Sequence, residues 1–227
     1  MKNTSFHIVL ILVLSFLSSC KEDNEYVYPS VKLEFLTAES GSDGFLSYLM
    51  TDSGERLEVS EDLSKTQIEA SSSVRIVANY EKLDGAETGG KQAKVYSLLK
   101  AVSPEPSPAS GFADGVKTDP ADVLSMWLGR DYLNMTLSIK MQKGKHLFHF
   151  VENEVETDQT TGRKVVYLTL YHDAGDDLEA FTRRAYLSVP LSKYTENNTR
   201  EIIVYFSVNT YDGGVKTYDF DYIPTSN

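Results

Sequence analysis

Apolar and polar residues alternate with a period of two along most of the chain from residue 31 onward. In the first such run Val31, Leu33 and Phe35 alternate with Lys32 and Glu34. The residues that share one side of two later runs are Val74, Ile76, Ala78 and Tyr80, and then Ala93, Val95 and Leu99. Strict alternation predicts β-strands that bury one face and expose the other.

Turn-forming residues separate these runs. Glycine occurs with aspartate or serine at positions 41–44 and 52–54, and again across positions 84–90. Such residues favour the tight turns that join neighbouring strands. About five short strands with little helical periodicity between them are typical of a small closed or nearly closed β-barrel. We therefore predict a barrel domain over residues 31–102.

The second half of the chain shows the same period over residues 132–141, 166–170, 185–191 and 202–208. In the first of these runs two opposite faces are predicted: Leu133, Met135, Leu137, Ile139 and Met141 on one side, and Tyr132, Asn134, Thr136, Ser138 and Lys140 on the other. About six or seven strands with almost no helix fit a two-sheet sandwich. We predict a β-sandwich domain over residues 119–227 and an all-β fold for the whole protein.

Between the two halves, residues 103–118 are rich in proline, serine and glycine, which is typical of a semi-rigid linker. Asp119 and Pro120 then supply an N-cap and a proline suited to the first helical position. We expect one or two helical turns over residues 123–128, ending at Gly129. Trp127 is the only tryptophan. Two roles are open for it: packing of this turn on the second core, or stacking on a ligand.

The N-terminal residues have the layout of an export signal. Residues 6–16 form an almost unbroken apolar run after Lys2. This run is shorter than the about 20 residues that span a bilayer, and it is typical of a secretory signal. The sequence Leu-Ser-Ser-Cys at 17–20 resembles a lipobox, which signal peptidase II cuts before the cysteine. We predict a signal peptide over 1–19, lipidation of Cys20, which is the only cysteine, and a tether over 20–30.

Charge bears on location and on partners. The chain has a net charge of −11, which disfavours nucleic acid as a partner because phosphate binding needs a basic surface. Lys21, Glu22 and Asp23 follow the lipidated cysteine and resemble the export signal that sends lipoproteins of the Bacteroidota to the cell surface. An ordinary acidic tether on the periplasmic side is the alternative. We expect a lipid anchor in the outer membrane that faces the cell exterior.

A set of residues in the second half resembles a known family. The set is Asp119-Pro120, Trp127, Tyr132-Leu133-Asn134, His146, Tyr167-Leu168, His172-Asp173, Asp176 and Ser188-Val189-Pro190-Leu191. It is similar to the second domain of NigD-like lipoproteins of Bacteroides and Prevotella relatives, and residues 31–102 are similar to the family's first domain. The resemblance implies an OB-like barrel followed by a β-sandwich on a lipid anchor. It also implies bacteriocin immunity and brings no catalytic residues.

Candidate chemistry in the second half is weak. His146 and His149 are an odd number of residues apart, so one strand would point them to opposite faces, away from a shared metal. Asp173, Asp176 and Asp177 are weak calcium candidates, since their oxygens suit the ion but their spacing does not match a calcium loop. A catalytic pair of His172 with Asp173 lacks a recognisable serine partner. We predict no enzyme activity and no cofactor.

Aromatic residues are the better candidates for binding, because tyrosine is enriched at binding surfaces. Cross-strand packing of half-exposed rings is the alternative. The residues that we predict for partner binding are Trp127, Tyr132, Asn134, Tyr167 and Tyr205. The function we predict is a non-enzymatic, surface-exposed binding module with a protein toxin as its partner in bacteriocin immunity. The alternative is a component that binds an envelope glycan or assists surface assembly.

Overall fold

The structure is a computed structural model and describes residues 29–84, 90–195 and 201–224. Thirteen β-strands and two short 3₁₀ turns make up this part of the chain. The strands are β1 (Val31–Ser40), β2 (Leu46–Thr51), β3 (Arg56–Asp62), β4 (Ser73–Asp84), β5 (Lys91–Lys100), β6 (Ser107–Pro108), β7 (Asp122–Gly129), β8 (Tyr132–Met141), β9 (Leu147–Thr157), β10 (Lys164–Asp173), β11 (Phe181–Pro190), β12 (Ile202–Asn209) and β13 (Val215–Tyr222). The 3₁₀ turns are Ala109–Gly111 and Ser192–Tyr194. The predicted all-β fold is confirmed.

The first five strands close into a barrel in the order β1-β2-β3-β5-β4, with β4 paired to β1. Five strands in a closed barrel match the predicted OB-like architecture. The alternation of β4 points Ile76, Ala78 and Tyr80 inward, where each is fully buried. They pack against Leu36, Leu49, Leu57, Ala93 and Val95 from the other strands. This core holds the barrel together by removing apolar surface from water.

Partway along β5, the alternation of side chains that point into the barrel shifts by one residue. Asn79 pairs with Ser97 and Tyr80 pairs with Val95, so Tyr96 is an extra residue in a β-bulge. An extra residue reverses which side chains point inward. Leu98 therefore packs against the barrel core, whereas Leu99 is 62% exposed. The expectation that Leu99 shares a face with Ala93 and Val95 is wrong for this reason.

The remaining strands form a sandwich of a five-stranded sheet, β13-β12-β10-β9-β6, and a three-stranded sheet, β11-β8-β7. Its core follows the predicted alternation, with Leu133, Met135, Leu137, Val166, Leu168, Leu187, Val189, Ile202, Val204, Phe206 and Val208 all nearly or fully buried. Most neighbouring pairs are antiparallel, but β10 pairs with β12 in parallel. Two sheets that face each other across a shared apolar layer define the sandwich.

The predicted helix over 123–128 is wrong, because this segment is strand β7. Its backbone pairs with β8 from Asp122 to Gly129, with a bulge between Val123 and Ser125. Val123, Met126 and Leu128 pack on the sandwich core. The expected cap does not form, since the Asp119 carboxylate accepts the backbone N–H of Ala174 at 2.7 Å instead. Pairing with the edge of β8 satisfies far more backbone groups than one helical turn would.

Residues 103–118, which we expected to be a linker, run along the sandwich and add a strand to it. Ser107 and Pro108 form β6 beside β9, and Thr118 forms a bridge with His172. Val102 also exchanges backbone hydrogen bonds with β11. Nowhere in the described residues is a helix long and apolar enough to span a membrane.

Candidate functional site

The barrel contacts the outer face of the three-stranded sheet of the sandwich. Phe35, Val77 and Ala101, on the outside of the barrel, form a small buried cluster with Tyr186 of β11. The face of β8 that carries Tyr132, Asn134 and Thr136 is turned toward the barrel, so that Asn134 is fully buried. The polar face predicted for this strand is therefore a contact surface within the chain.

A buried arginine joins the two parts. The guanidinium of Arg75, in β4, donates to Asp52 Oδ1 at 2.5 Å, to Asn134 Oδ1 at 2.9 Å and to Ser188 Oγ at 3.0 Å. Asn134 in turn donates through Nδ2 to Asp52 Oδ2 at 2.7 Å and accepts the Ser188 hydroxyl at 2.6 Å. Arg75 also lies over the ring of Tyr132, 4.3 Å from its centroid. A buried charge is tolerated only with such partners.

Gly129, the last residue of β7, leaves room for this network. A Cβ at this position would fall well inside van der Waals contact with Asp52 Oδ2 and 2.5 Å from Asn134 Nδ2. Both atoms are held by hydrogen bonds to each other, and Asp52 is held by Arg75 as well. The backbone of β7 must therefore pass close to the Asp52–Asn134 pair without a side chain. Sequence analysis gave this glycine the wrong role, as the end of a helix.

A cleft of about 440 Å³ lies beside the network, at the junction of barrel and sandwich. Its apolar lining comes from Leu33, Phe35, Val77, Trp127 and Tyr186. Trp127 packs edge-on against Phe35, with ring centroids 5.4 Å apart and planes at 80°. The indole is nevertheless 37% exposed. An aromatic hollow with a half-exposed tryptophan can bury an apolar group of a partner.

Charged groups of both signs surround the hollow: Lys32, Glu34, Asp52 and Lys82. Glu34 accepts the phenol of Tyr80 at 2.6 Å, which fixes one carboxylate at the rim. Lys82 is paired with Glu55, which also pairs with Lys91. Hydrogen bonds from these two lysines outweigh partial burial and lower the pKa of Glu55 to about 2. The rim therefore carries charges of both signs, already paired within the chain, around an apolar centre.

The five residues predicted for partner binding fall into three places. Trp127 lines the cleft, and Asn134 lies behind it in the arginine network. Tyr132 lies under Arg75, and both residues line a second cleft of about 430 Å³. Tyr167 and Tyr205 are elsewhere, stacked on each other with centroids 5.2 Å apart on the outer face of the five-stranded sheet.

A buried histidine pair was missed by sequence analysis, which compared only His146 with His149. Nδ1 of His146 lies 2.8 Å from Nε2 of His172, which arrives from the neighbouring strand β10. The ring of His172 is buried, stacks on Phe148 and donates through Nδ1 to the backbone oxygen of Asp119 at 3.0 Å. Burial lowers the pKa of His172. Both ring nitrogens have protein partners, so this histidine anchors strands rather than serving a substrate.

Aspartates of the acidic loop after β10 accept hydrogen bonds from the backbone. Asp177 accepts the backbone N–H groups of Gln142 and Lys143, at 2.8 and 3.2 Å. These donors outweigh the effect of burial and lower the pKa of Asp177 to about 2. Asp173 accepts the N–H of Gly175, and Asp176 is exposed. Within the ranges that the structure describes, no three His, Cys, Asp or Glu side chains are grouped to hold a metal ion.

Cys20, Lys21, Glu22 and Asp23 lie outside the described residues. The lipidation site and the export signal therefore stay predictions from the sequence.

The fold and the cleft define an all-β protein in which a five-stranded barrel meets a β-sandwich at an aromatic hollow. Residues 103–222 match the family model of the NigD-like C-terminal beta sandwich domain. The chain belongs to the NigD-like family, as the resemblance predicted. No curated protein matches the chain.

Solved structures agree with this assignment. A NigD-like immunity protein from Bacteroides caccae is 42% identical, with a TM-score of 0.72, over 88% of this chain and 100% of that one. A protein named as a candidate toxin-related protein, from Parabacteroides distasonis, is 20% identical with a TM-score of 0.68, over 85% and 93%. A protein named as a candidate lipoprotein, from Bacteroides fragilis, is 11% identical with a TM-score of 0.60, over 86% and 100%. The last two likenesses show a shared fold.

Proposed function

We propose that this chain is a lipid-anchored, non-enzymatic binding protein that protects its producer by engaging a protein toxin at the barrel–sandwich cleft. The observation that carries the proposal is the half-exposed Trp127 in an aromatic hollow with a charged rim. Tryptophan at a well-packed hollow is a typical centre of binding energy in protein interfaces. The similarity to a protein named as an immunity protein supports a toxin as the partner.

The hollow is suited to this role because its walls are held in place before any partner arrives. Arg75, Asp52 and Asn134 tie the barrel to β8 directly behind the hollow. Phe35 and Tyr186 are packed together across the same junction, with ring centroids 6.1 Å apart. A site whose side chains are already ordered loses less entropy on binding, which favours affinity.

The anchor belongs to the same proposal. Lipidation of Cys20 would hold the chain at the outer membrane, and Lys21, Glu22 and Asp23 would direct it to the exterior. A protein displayed there would meet a toxin before the toxin reaches the membrane. Two or more acyl chains are needed for such stable anchoring. We expect a Cys20→Ala variant to appear in the soluble fraction and to lose protection, as measured by membrane fractionation and killing assays on the same cells.

The test of immunity is a killing curve. Deleting the gene should sensitise the producer to a bacteriocin made by its own or a related strain, and restoring the wild-type gene should return the original survival. Unchanged killing after deletion would overturn the immunity role. Survival with the Cys20→Ala variant equal to wild type would leave immunity standing but overturn the need for the anchor.

A second candidate function is supported by the stacked pair Tyr167 and Tyr205. Aromatic rings on an open sheet face can stack on sugar rings, so this face is a candidate surface for an envelope glycan. Glycan-array binding by the wild type that disappears in a Tyr167→Ala/Tyr205→Ala variant would support it. A blank array, or binding that survives the double substitution, would contradict it.

A further inference from the structure

Strand β1 has a free edge at the cleft. Residues Val31–Phe35 pair with β4 on one side, from Val31 opposite Glu81 to Phe35 opposite Val77. Pairing of β1 with β2 on the other side begins only at Leu36, which lies opposite Thr51. In the described residues, the β2 side of positions 31–35 therefore has no strand partner. Every second residue of this stretch directs its N–H and C=O toward that open side.

The cleft lies at this edge rather than on one face of the strand. Four consecutive residues of β1, Lys32 to Phe35, line it. Side chains of a strand alternate between its two faces, so consecutive residues can line one cavity only where that cavity runs along the edge. Thr51, Asp52 and Ser53 line the cleft too, where β2 ends and turns into β3. The hollow thus occupies the place that a longer β2 would fill.

Side chains around the edge give an added strand two different faces. Leu33 and Phe35 lie on the face that is shared with Trp127 and Tyr186. Lys32 and Glu34 lie on the opposite face, 4.0 Å apart through Nζ and Oε1. A strand added along this edge would place every second residue against the aromatic rings. The residues between them would lie beside Lys32 and Glu34. Cross-strand pairs of these kinds stabilise sheets.

From these observations we infer that the cleft binds an extended polypeptide segment, which adds to the barrel as a strand beside residues 31–35. The partner segment alternates apolar residues, which enter the Trp127 hollow, with charged residues that complement Lys32 and Glu34. Backbone pairing provides affinity and the alternating side chains provide selectivity, as in other cases of strand addition. This inference rests on the proposed binding role of the cleft and names the form that the partner takes there.

The probe is a synthetic peptide as long as the free edge, built to lie antiparallel to it. It carries apolar residues opposite Val31, Leu33 and Phe35, a glutamate opposite Lys32 and a lysine opposite Glu34. Binding to the full chain in detergent is followed by fluorescence, which reports on the cleft because Trp127 is the only tryptophan. Hydrogen–deuterium exchange of the amides at 31–35 reports on backbone pairing.

The expected result has three parts. The peptide changes Trp127 emission, and at saturation it slows exchange of the edge-facing amides at 31–35 by about tenfold or more, since a bound amide exchanges only when the ligand leaves. A peptide with the same side chains but N-methylated at its edge-facing amides binds at least about 30-fold more weakly, because it loses two or three hydrogen bonds that are worth about 1 kcal/mol each. A Trp127→Ala chain, followed by exchange alone, also loses protection at 31–35.

Three results would overturn strand addition. They are absence of binding by the designed peptide, equal binding by the N-methylated peptide, and an emission change without amide protection. The last result would indicate that side chains alone, or a glycan, occupy the hollow. Protection of residues 31–35 without peptide, together with a dimer in sedimentation, would mean that a second copy fills the edge. If survival of cells exposed to the toxin depends on Trp127 while the peptide leaves amide exchange at 31–35 unchanged, the proposed function survives and strand addition fails.

Discussion

Arg75 is the residue on which the junction of barrel and sandwich depends. Its side chain is 2% exposed and its main countercharge, Asp52, lies at 2.5 Å. Removing one partner of a buried ion pair costs more than the pair contributes, because the remaining charge is left without compensation in a low-dielectric site. The network therefore fixes the relative position of β4 and β8, and with it the shape of the cleft.

Asp52→Ala should destabilise the protein by about 3 kcal/mol, because the buried Arg75 would keep its charge and lose its main partner. Urea denaturation of the variant and the wild type measures the difference. Glu58→Ala, which removes an exposed carboxylate of β3, is the control and should change the free energy of unfolding by less than about 0.5 kcal/mol. A change at Asp52 no larger than that of the control would contradict the role given to the network.

Gly129→Ala should also destabilise the protein, by about 2 kcal/mol, because a methyl group there displaces the Asp52 and Asn134 side chains from their hydrogen bonds. Gly214→Ala is the matched control, since the nearest atom to a Cβ at that position is 3.9 Å away. Thermal unfolding compares the two. Equal melting temperatures for both variants would show that the network tolerates a side chain at position 129.

The environment of individual residues was the hardest feature to predict from the sequence. The alternation of β8 placed Asn134 opposite the core correctly, but it did not say that the barrel covers that face. Two features of the sequence point to this covered face. One is Arg75, a charged residue inside the apolar run 74–78, and the other is the adjacent apolar pair Phe35 and Leu36. Both members of that pair are buried, on opposite faces of β1. Burial on both faces indicates that a strand has neighbours on both sides, which a period of two alone does not reveal.

At the scale of elements, regular alternation predicted the strands well wherever one register applied throughout. It failed where a bulge changed the register, as at Tyr96 in β5, and where local capping signals competed with strand pairing, as in β7. Capping residues act over a few positions, whereas the edge of β8 offers hydrogen bonds along the whole of β7. Long-range pairing of this kind overrides local preference, and its partner is far away in sequence.

The loops that close the sandwich are also held by long-range contacts. Asp177 binds the backbone of residues 142 and 143, and a Cβ at Gly144 would lie 2.6 Å from the Asp177 Cβ. His146, which follows this loop, places Nε2 3.4 Å from Asp177 Oδ2, and both side chains are at most 5% exposed. The acidic loop and the histidine pair therefore form one anchored corner.

This corner predicts a dependence of stability on pH. The pKa of Asp177 is lowered from 3.8 to about 2 in the fold, so the folded state favours the carboxylate. The stabilisation is present above about pH 4 and is lost as the pH falls toward 2, because the unfolded state then binds the proton more readily. Asp177→Asn should lower the melting temperature at pH 7 and show a smaller further loss between pH 5 and pH 2.

The control for that experiment is Asp176→Asn, which removes a charge from the exposed neighbouring position. Its melting temperature should follow the wild-type curve across the same range of pH. A wild-type curve and an Asp177→Asn curve that stay parallel from pH 5 to pH 2 would contradict the anchoring role.

At the scale of the whole molecule, the order of a barrel followed by a sandwich was predictable, because family resemblance and strand count agree. The cleft was not, since it arises from contacts between Phe35 and Trp127, which are far apart in sequence. The prediction grouped Trp127 with Tyr167 and Tyr205 as one kind of surface. The structure separates them onto the two sheets of the sandwich. The proposed toxin site at Trp127 and the candidate glycan site at Tyr167 and Tyr205 can therefore be tested separately.

The measurement that tests the proposed binding site most directly is calorimetric titration of a bacteriocin that kills the deletion strain into three purified chains: the wild type, Trp127→Ala and Tyr205→Ala. We predict that the wild type and Tyr205→Ala bind equally, whereas Trp127→Ala binds at least about 30-fold more weakly, as loss of a central tryptophan costs 2 kcal/mol or more. Unimpaired binding by Trp127→Ala, or a loss seen only in Tyr205→Ala, would contradict the assignment of the barrel–sandwich cleft as the binding site.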